Sequence, residues 1–146
     1  FGKNPDLNAE FGMNMEPDAI QAAVLNVRLK YLPAVLERRA QIASMYDEGL
    51  KDLPIILPLK QEGRIYQDYV IRVPDRKAEL VKHLQDNGVG IIGHNLIPNH
   101  YYKVLSHFKL PKTDEYISQQ IRIPCRQALT DDEVNYIIAM LRAFYG

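Results

Sequence analysis

A single cysteine, Cys125, is the whole thiol content of this 146-residue chain, and tryptophan is missing altogether. One cysteine excludes an intrachain disulfide and fits a reducing, cytoplasmic setting. Net charge is missing too, because 18 Lys+Arg balance 18 Asp+Glu. That removes the electrostatic basis for nucleic acid or an acidic membrane as partner. No apolar run approaches the roughly 18 residues of a membrane span, and no signal peptide is visible. His94 and His100 have no Cys or carboxylate at ligand spacing, so no zinc site is expected. Repeats and low-complexity tracts are absent. The first residue is Phe1, not Met, which fits a piece of a longer chain.

What is present is a globular composition, 25% charged and 47% hydrophobic, with enough length for one domain and its core. The chain is organised around Gly12–Leu50. Apolar residues recur there at Ile20, Ala23/Val24, Val27 and Tyr31, and again at Leu25, Leu29, Leu32 and Leu36. These are two adjacent helical stripes, so the apolar face is wide and needs more than one covering partner. The helix is expected from Pro17, with Asp18 in its first turn. Pro33 interrupts the pattern at a cost of about 3 kcal/mol. Each buried Leu or Val returns roughly 1.5–3 kcal/mol, so a kinked helix or two abutting helices are expected.

Further along, Pro54-Ile55-Ile56-Leu57-Pro58 reads as an extended edge segment, and residues 65–73 alternate as a strand. A helix follows from Pro74-Asp75 with Ala78, Val81 and Leu84 on one stripe, stopped at Asn87-Gly88. Residues 89–92 read as a short strand. Residues 113–120 fit either a strand or a helical turn. Thr130-Asp131-Asp132-Glu133 is a capping box opening a last helix, with Val134, Ile137, Ile138, Leu141 and Tyr145 on its buried stripe. The order implies an α+β domain with helices on one face of a small antiparallel sheet, led by a long kinked helix.

Three stretches, in order and in register, carry a resemblance. Gly12-Met13-Asn14-Met15-Glu16-Pro17-Asp18-Ala19-Ile20-Gln21-Ala22-Ala23 is similar to Gly-x-Asn-x-Arg-(Met/Leu)-x-x-(Ile/Leu)-Gln-Ala-Ala. The loop His94-Asn95-Leu96-Ile97-Pro98-Asn99-His100 resembles His-Tyr-Pro-x-Pro-x-His. Ile121-Arg122-Ile123-Pro124, then Leu129-Thr130-Asp131-Asp132-Glu133-Val134, resembles Leu-Ser-Leu-Pro…Leu-Thr-x-x-Glu-Val. These patterns belong to the DegT/StrS-type sugar aminotransferases, pyridoxal-phosphate enzymes of the aspartate aminotransferase fold.

The resemblance implies that residues 1–146 are the C-terminal small domain. The large domain that holds the cofactor and its Schiff-base lysine would lie upstream. Ser106-His107-Phe108-Lys109 copies the family's Ser-x-x-Lys but falls after the histidine loop, in the wrong order. This chain alone is therefore expected to be inactive. Within a whole enzyme the partners implied are a nucleotide-sugar, an amino-acid donor and a second copy in a homodimer.

The implied site residues are Asn14, toward the cofactor phosphate of a neighbouring subunit, and Glu16, His94, Asn95 and His100 on the substrate side. Asn14 beside a helix N-terminus suits a phosphate; it equally suits a turn after Gly12. Glu16 stands where the family has Arg or Lys. At about 5 Å and an effective dielectric near 20 it would repel an anion by roughly 3 kcal/mol, unless it is only a solvated carboxylate opening the helix. His94 and His100 are read either as substrate contacts or as plain loop residues, and Asn95 and Leu96 replace Tyr and Pro. Cys125 reads as an unreactive thiol. A second reading is a diverged, non-catalytic domain kept for binding or assembly.

Overall fold

A computed structural model describes residues 18–91 and 96–146. The leading helical stretch is two helices, α1 (Ala19–Leu29) and α2 (Leu32–Leu50). Pro33 sits in the first turn of α2, where its missing N–H costs nothing. The strain of an interior proline is avoided by ending α1 at the Lys30–Tyr31 turn. The first helix starts later than expected. Asp18 is its N-cap, accepting from Gln21 N at 2.8 Å, and the Gln21 side chain returns a bond to Asp18 N.

The sheet, among the described residues, is one antiparallel pair, β1 (Tyr69–Arg72) and β2 (Gln120–Ile123). The register sets Tyr69 opposite Ile123 and Ile71 opposite Ile121. All four are buried and share one face of the pleat. The extended segment at Ile56 adds a single bridge to Arg72 at the open edge. Residues 65–68 alternate like a strand but do not form one. Their backbone is diverted, with Arg39 Nη1 donating to the carbonyls of Tyr66 and Gln67. Nor are residues 89–91 a strand. Val89 and Ile91 are buried, so their alternation reflects a core-facing loop without ladder partners.

Next comes α3 (Lys77–Asp86), which begins three residues beyond Pro74 because Arg76 adopts a left-handed φ of 58°. Its buried stripe is Leu80, Val81 and Leu84, and Ala78 is exposed. Gly88 closes the helix at φ 75°, letting Val89 N reach Leu84 O at 2.9 Å. The ambiguous 113–120 stretch resolves as α4 (Pro111–Gln119) running directly into β2. Finally α5 (Asp131–Tyr145) carries the expected capping box, Glu133 N to Thr130 Oγ1 at 3.2 Å and Thr130 N to Glu133 Oε2 at 2.8 Å. Val134, Ile137 and Leu141 are buried, with Ile138 and Tyr145 packed at the margin of the core.

The core gathers Ile42, Tyr46 and Leu50 of α2, the inner sheet face, Leu80 and Leu84 of α3, and the α5 stripe. Gly49 lets α2 approach α5 closely. A Cβ there would lie 2.7 Å from Ile138 Cδ1 and 2.9 Å from Cγ2, so the whole Ile138 side chain would have to move. Overpacking of this kind costs about 1–3 kcal/mol, against a helix gain of about 1 kcal/mol for alanine. Gly49→Ala is expected to lower the urea midpoint, and shortening Ile138 to Val in that background is expected to recover it.

Two helices, α1 and α4, place no buried residue in this core, and α1 is the more apolar of them. No residue of α1 is buried. Ile20 is 78% exposed, Val24 52%, Val27 55% and Tyr31 65%. The stripe expected to need several partners thus stays exposed over Ile20–Tyr31 among the described residues.

Candidate functional site

Asn14, Glu16, His94 and Asn95 lie outside the described residues. His100 is described and is buried. It sits in a 3-10 turn, Asn99–Tyr101, that follows Pro98. Its Nε2 lies 2.8 Å from Asp114 Oδ1 on α4, and the Tyr101 ring meets it edge-on at 4.9 Å. Asp114 also accepts from the Tyr101 phenol and pushes its pKa up. His100 Nδ1 is buried without a hydrogen-bond partner. The histidine is therefore pinned at Nε2 by the carboxylate, while Nδ1 is left without a partner.

A cavity of about 710 Å3 opens beside this pair, with Ser106 and Lys109 on its wall. The Ser106 hydroxyl donates to Lys103 O, and Lys109 is exposed. The Ser-x-x-Lys match has no geometry to support it.

The second cavity, about 650 Å3, was not foreseen from sequence. It lies where the entry to β1, the exit of β2, the first turns of α5 and the segment after α3 converge. Arg122 Nη1 donates to Asp68 Oδ2 at 3.0 Å, both side chains about a third exposed. Arg122 Nε is buried without an acceptor. Arg126 also lines the space and makes no salt bridge among the described residues. The floor includes Val89, Ile123 and Ile137. A Cβ on Gly90 would touch nothing within 4 Å, so the backbone there borders open space. The available signal was arginine at position 122 in place of the pattern's serine. That signal alone does not reveal the cavity, whose walls come from four separated stretches.

Cys125 also borders this cavity but is only 5% exposed, and burial pushes its pKa up from 9.0 to about 11. Burial likewise raises Tyr46 and, with the Asp47 hydrogen bond, Tyr69. A raised folded pKa means the fold holds the protonated form. This contribution is complete below pH 9.0 and is lost as pH climbs through about 11. At pH 8 an aromatic disulfide reagent is expected to label Cys125 only slowly until denaturant is added. Full labelling of the folded chain within minutes would overturn this.

No group of three or more His, Cys, Asp or Glu suited to a metal occurs among the described residues. No described helix is long and apolar enough to cross a membrane.

The mostly helical fold with its small antiparallel pair matches a portion of DegT-type aminotransferase structures. Residues 2–142 match the DegT/DnrJ/EryC1/StrS aminotransferase family, and the chain belongs to it. A dTDP-3-amino-3,6-dideoxy-alpha-D-galactopyranose transaminase of Aneurinibacillus thermoaerophilus is 27% identical over 138 residues, covering 91% of this chain and 38% of the relative. A UDP-2-acetamido-2-deoxy-3-oxo-D-glucuronate aminotransferase of Pseudomonas aeruginosa is 28% identical over 134 residues, covering 89% of this chain and 37% of the relative. Among solved structures, a DegT DnrJ EryC1 StrS aminotransferase from Brucella abortus superposes with TM-score 0.82 at 29% identity, over 95% of this chain and 39% of that one. The chain thus spans well under half the length of these relatives, in their C-terminal portion.

The family depends on pyridoxal phosphate. The described residues do not assemble a place for it. Lys109 is the one lysine on either cavity wall among them, and it is exposed. The nearby carboxylate, Asp114, is already taken by His100 and Tyr101.

Proposed function

We propose that this chain is the C-terminal small domain of a pyridoxal-phosphate-dependent aminotransferase. The enzyme would move an amino group from an amino acid, glutamate or glutamine, onto a keto-sugar carried by a nucleotide, in sugar or polysaccharide biosynthesis. The observation that carries this reading is α1. An amphipathic helix with Ile20, Val24 and Val27 in solvent has a face made for another body. The chain covers only 38% of its transaminase relative. The lysine-bearing large domain is the occupant of that face in this reading.

This chain's own residues would shape the substrate side of the cleft. His94, Asn95 and His100 would contact the sugar, with Asp114 fixing His100 by the 2.8 Å bond. Asn14, at the start of the α1 segment, would donate its amide to the cofactor phosphate of the neighbouring subunit in a cytoplasmic homodimer. Glu16 would keep nucleotide anions away from that helix start.

The test is spectroscopic. The 146-residue chain mixed with pyridoxal phosphate is expected to lack the visible absorbance of a lysine-bound pyridoxal and to transfer no amino group. A longer gene product carrying the upstream domain is expected to show both. Lysine-bound pyridoxal on this chain alone would overturn the reading. Glu16 and Asn95, both departures from the family pattern, favour one alternative: a domain retained for binding or assembly. A longer product that folds without pyridoxal would support it.

A further inference from the structure

We infer that the leucine face of α1 is a twofold subunit seam, covered in the longer enzyme by a second copy of this chain. This rests on the aminotransferase reading for the body on the other face and goes beyond it in naming what covers this one. At about 100° per residue, Leu25 and Leu29 point roughly 150° away from Ile20, Val24 and Val27 around the helix. Gln21 and Arg28 divide the two stripes on one border, and Asn26 on the other. The leucines are as open as the first stripe, with Leu25 51% exposed, Leu29 59% and Leu32 42%. A domain docked on one side of a helix covers a stripe of about 100°. The upstream domain that takes Ile20, Val24 and Val27 therefore leaves the leucines to a second body.

The leucine row matches itself. Leu25, Leu29, Leu32 and Leu36 are spaced four, three and four apart, the alternation of a coiled-coil seam. That spacing is the same in both directions, and one residue type fills all four places. An antiparallel copy then sets Leu25 against Leu36 and Leu29 against Leu32, the isologous contact of a twofold axis lying between Leu29 and Leu32. The helical phase carries across the break, because Lys30 (φ −62°, ψ −29°) and Tyr31 (φ −99°, ψ −6°) keep right-handed dihedrals. The borders of the row are Asn26, Arg28, Pro33 and Val35, with a single charge among them. The row of Ile20, Val24, Val27 and Tyr31 has the same spacing but differs at its two ends, so a reversed copy does not match it. Four leucines a side fall well short of the about 800 Å2 per partner of a stable interface. The seam therefore holds only with area added by the upstream domain, and the 146-residue chain stays monomeric.

The experiment is sedimentation of the longer enzyme, which is expected to be a dimer. Leu29→Asp is expected to raise the dimer dissociation constant at least tenfold. The same substitution in the 146-residue chain is expected to leave its thermal midpoint unchanged, which guards against a folding defect. Leu29→Cys with Leu32→Cys, in a Cys125→Ser background, is expected to give a disulfide-linked dimer under mild oxidation. Val24→Cys with Val27→Cys is expected to give none, and the Cys125→Ser parent sets the level due to any other thiol. A Leu29→Asp enzyme that stays dimeric would overturn the inference; a lowered thermal midpoint in that dimer would mean that the upstream domain covers both faces. A monomeric parent would overturn it too, as would cross-linking of the valine pair in place of the leucine pair. Any of these results with lysine-bound pyridoxal intact leaves the aminotransferase reading standing. A longer product that dimerises through the leucines yet carries no pyridoxal would support the seam and sink the reading.

Discussion

Val24→Asp is expected to leave the 146-residue chain as stable as before and to cripple the longer enzyme. Val24 is 52% exposed on a helix with no buried residue, and substitutions at such sites stay within about 0.5 kcal/mol. In the whole enzyme the same face would be covered. Each of Ile20, Val24 and Val27 then contributes roughly 1.5–3 kcal/mol of burial. Aspartate removes one share and places an unpaired carboxylate in the seam, a loss of about 3–5 kcal/mol. Thermal unfolding of both proteins checks this. An unchanged midpoint for the short chain with a fall of about 5 °C for the long one is the expected pair of results. Equal falls in both would mean the face is already covered within these 146 residues. No fall in either would mean nothing docks there.

Tyr69→Ala is expected to be the most damaging single change inside the core. Tyr69 has no exposed surface. Its ring lies 5.0 Å from that of Tyr46 and 6.4 Å from that of Tyr66, and its hydroxyl donates to Asp47 Oδ1 at 2.6 Å. Truncating a buried aromatic costs about 3–5 kcal/mol. Asp47, only 11% exposed on its side chain, would lose its short hydrogen bond and keep the 3.6 Å ion pair with Lys60, so the loss adds about 1 kcal/mol. Against a total stability of about 5–15 kcal/mol, that leaves the chain at or near unfolding at 25 °C. Tyr69→Phe keeps the ring and loses the bond, so a urea midpoint between the two is expected. A midpoint for Tyr69→Ala within experimental scatter of the parent would show that the ring carries little of the fold.

What could be read from residue order was what local chemistry decides. Thr130 and Glu133 sit three apart, and that spacing alone makes the capping box. Pro33 is costly in a helix interior, so a kink or two abutting helices were expected, and the chain breaks at Lys30–Tyr31 so that Pro33 falls in the first turn of α2. Strand lengths were not legible, because a strand ends where its partner ends. Residues 65–68 alternate as well as Tyr69–Arg72 do, but β2 is only four residues long. Ile117 and Ile121 fit both periods, and only the pairing of Ile121 with Ile71 decides between them. The histidine turn was found through a pattern, but its anchor, Asp114, was not, since 14 residues separate it from His100. Asp68 and Arg122 were missed for the same reason at greater range, 54 residues apart.

The break at Lys30–Tyr31 also separates two kinds of rigidity. Beyond it, α2 shares the core's cooperative unfolding through Ile42, Tyr46 and Leu50. Before it, α1 has, among the described residues, its own turns and its Asp18 cap to close its amides. Amide hydrogen exchange would therefore divide at this point, fast by local fraying over Ala19–Leu29 and slow by global opening along α2. Protection appearing in α1 would be the sign that its apolar side had been claimed.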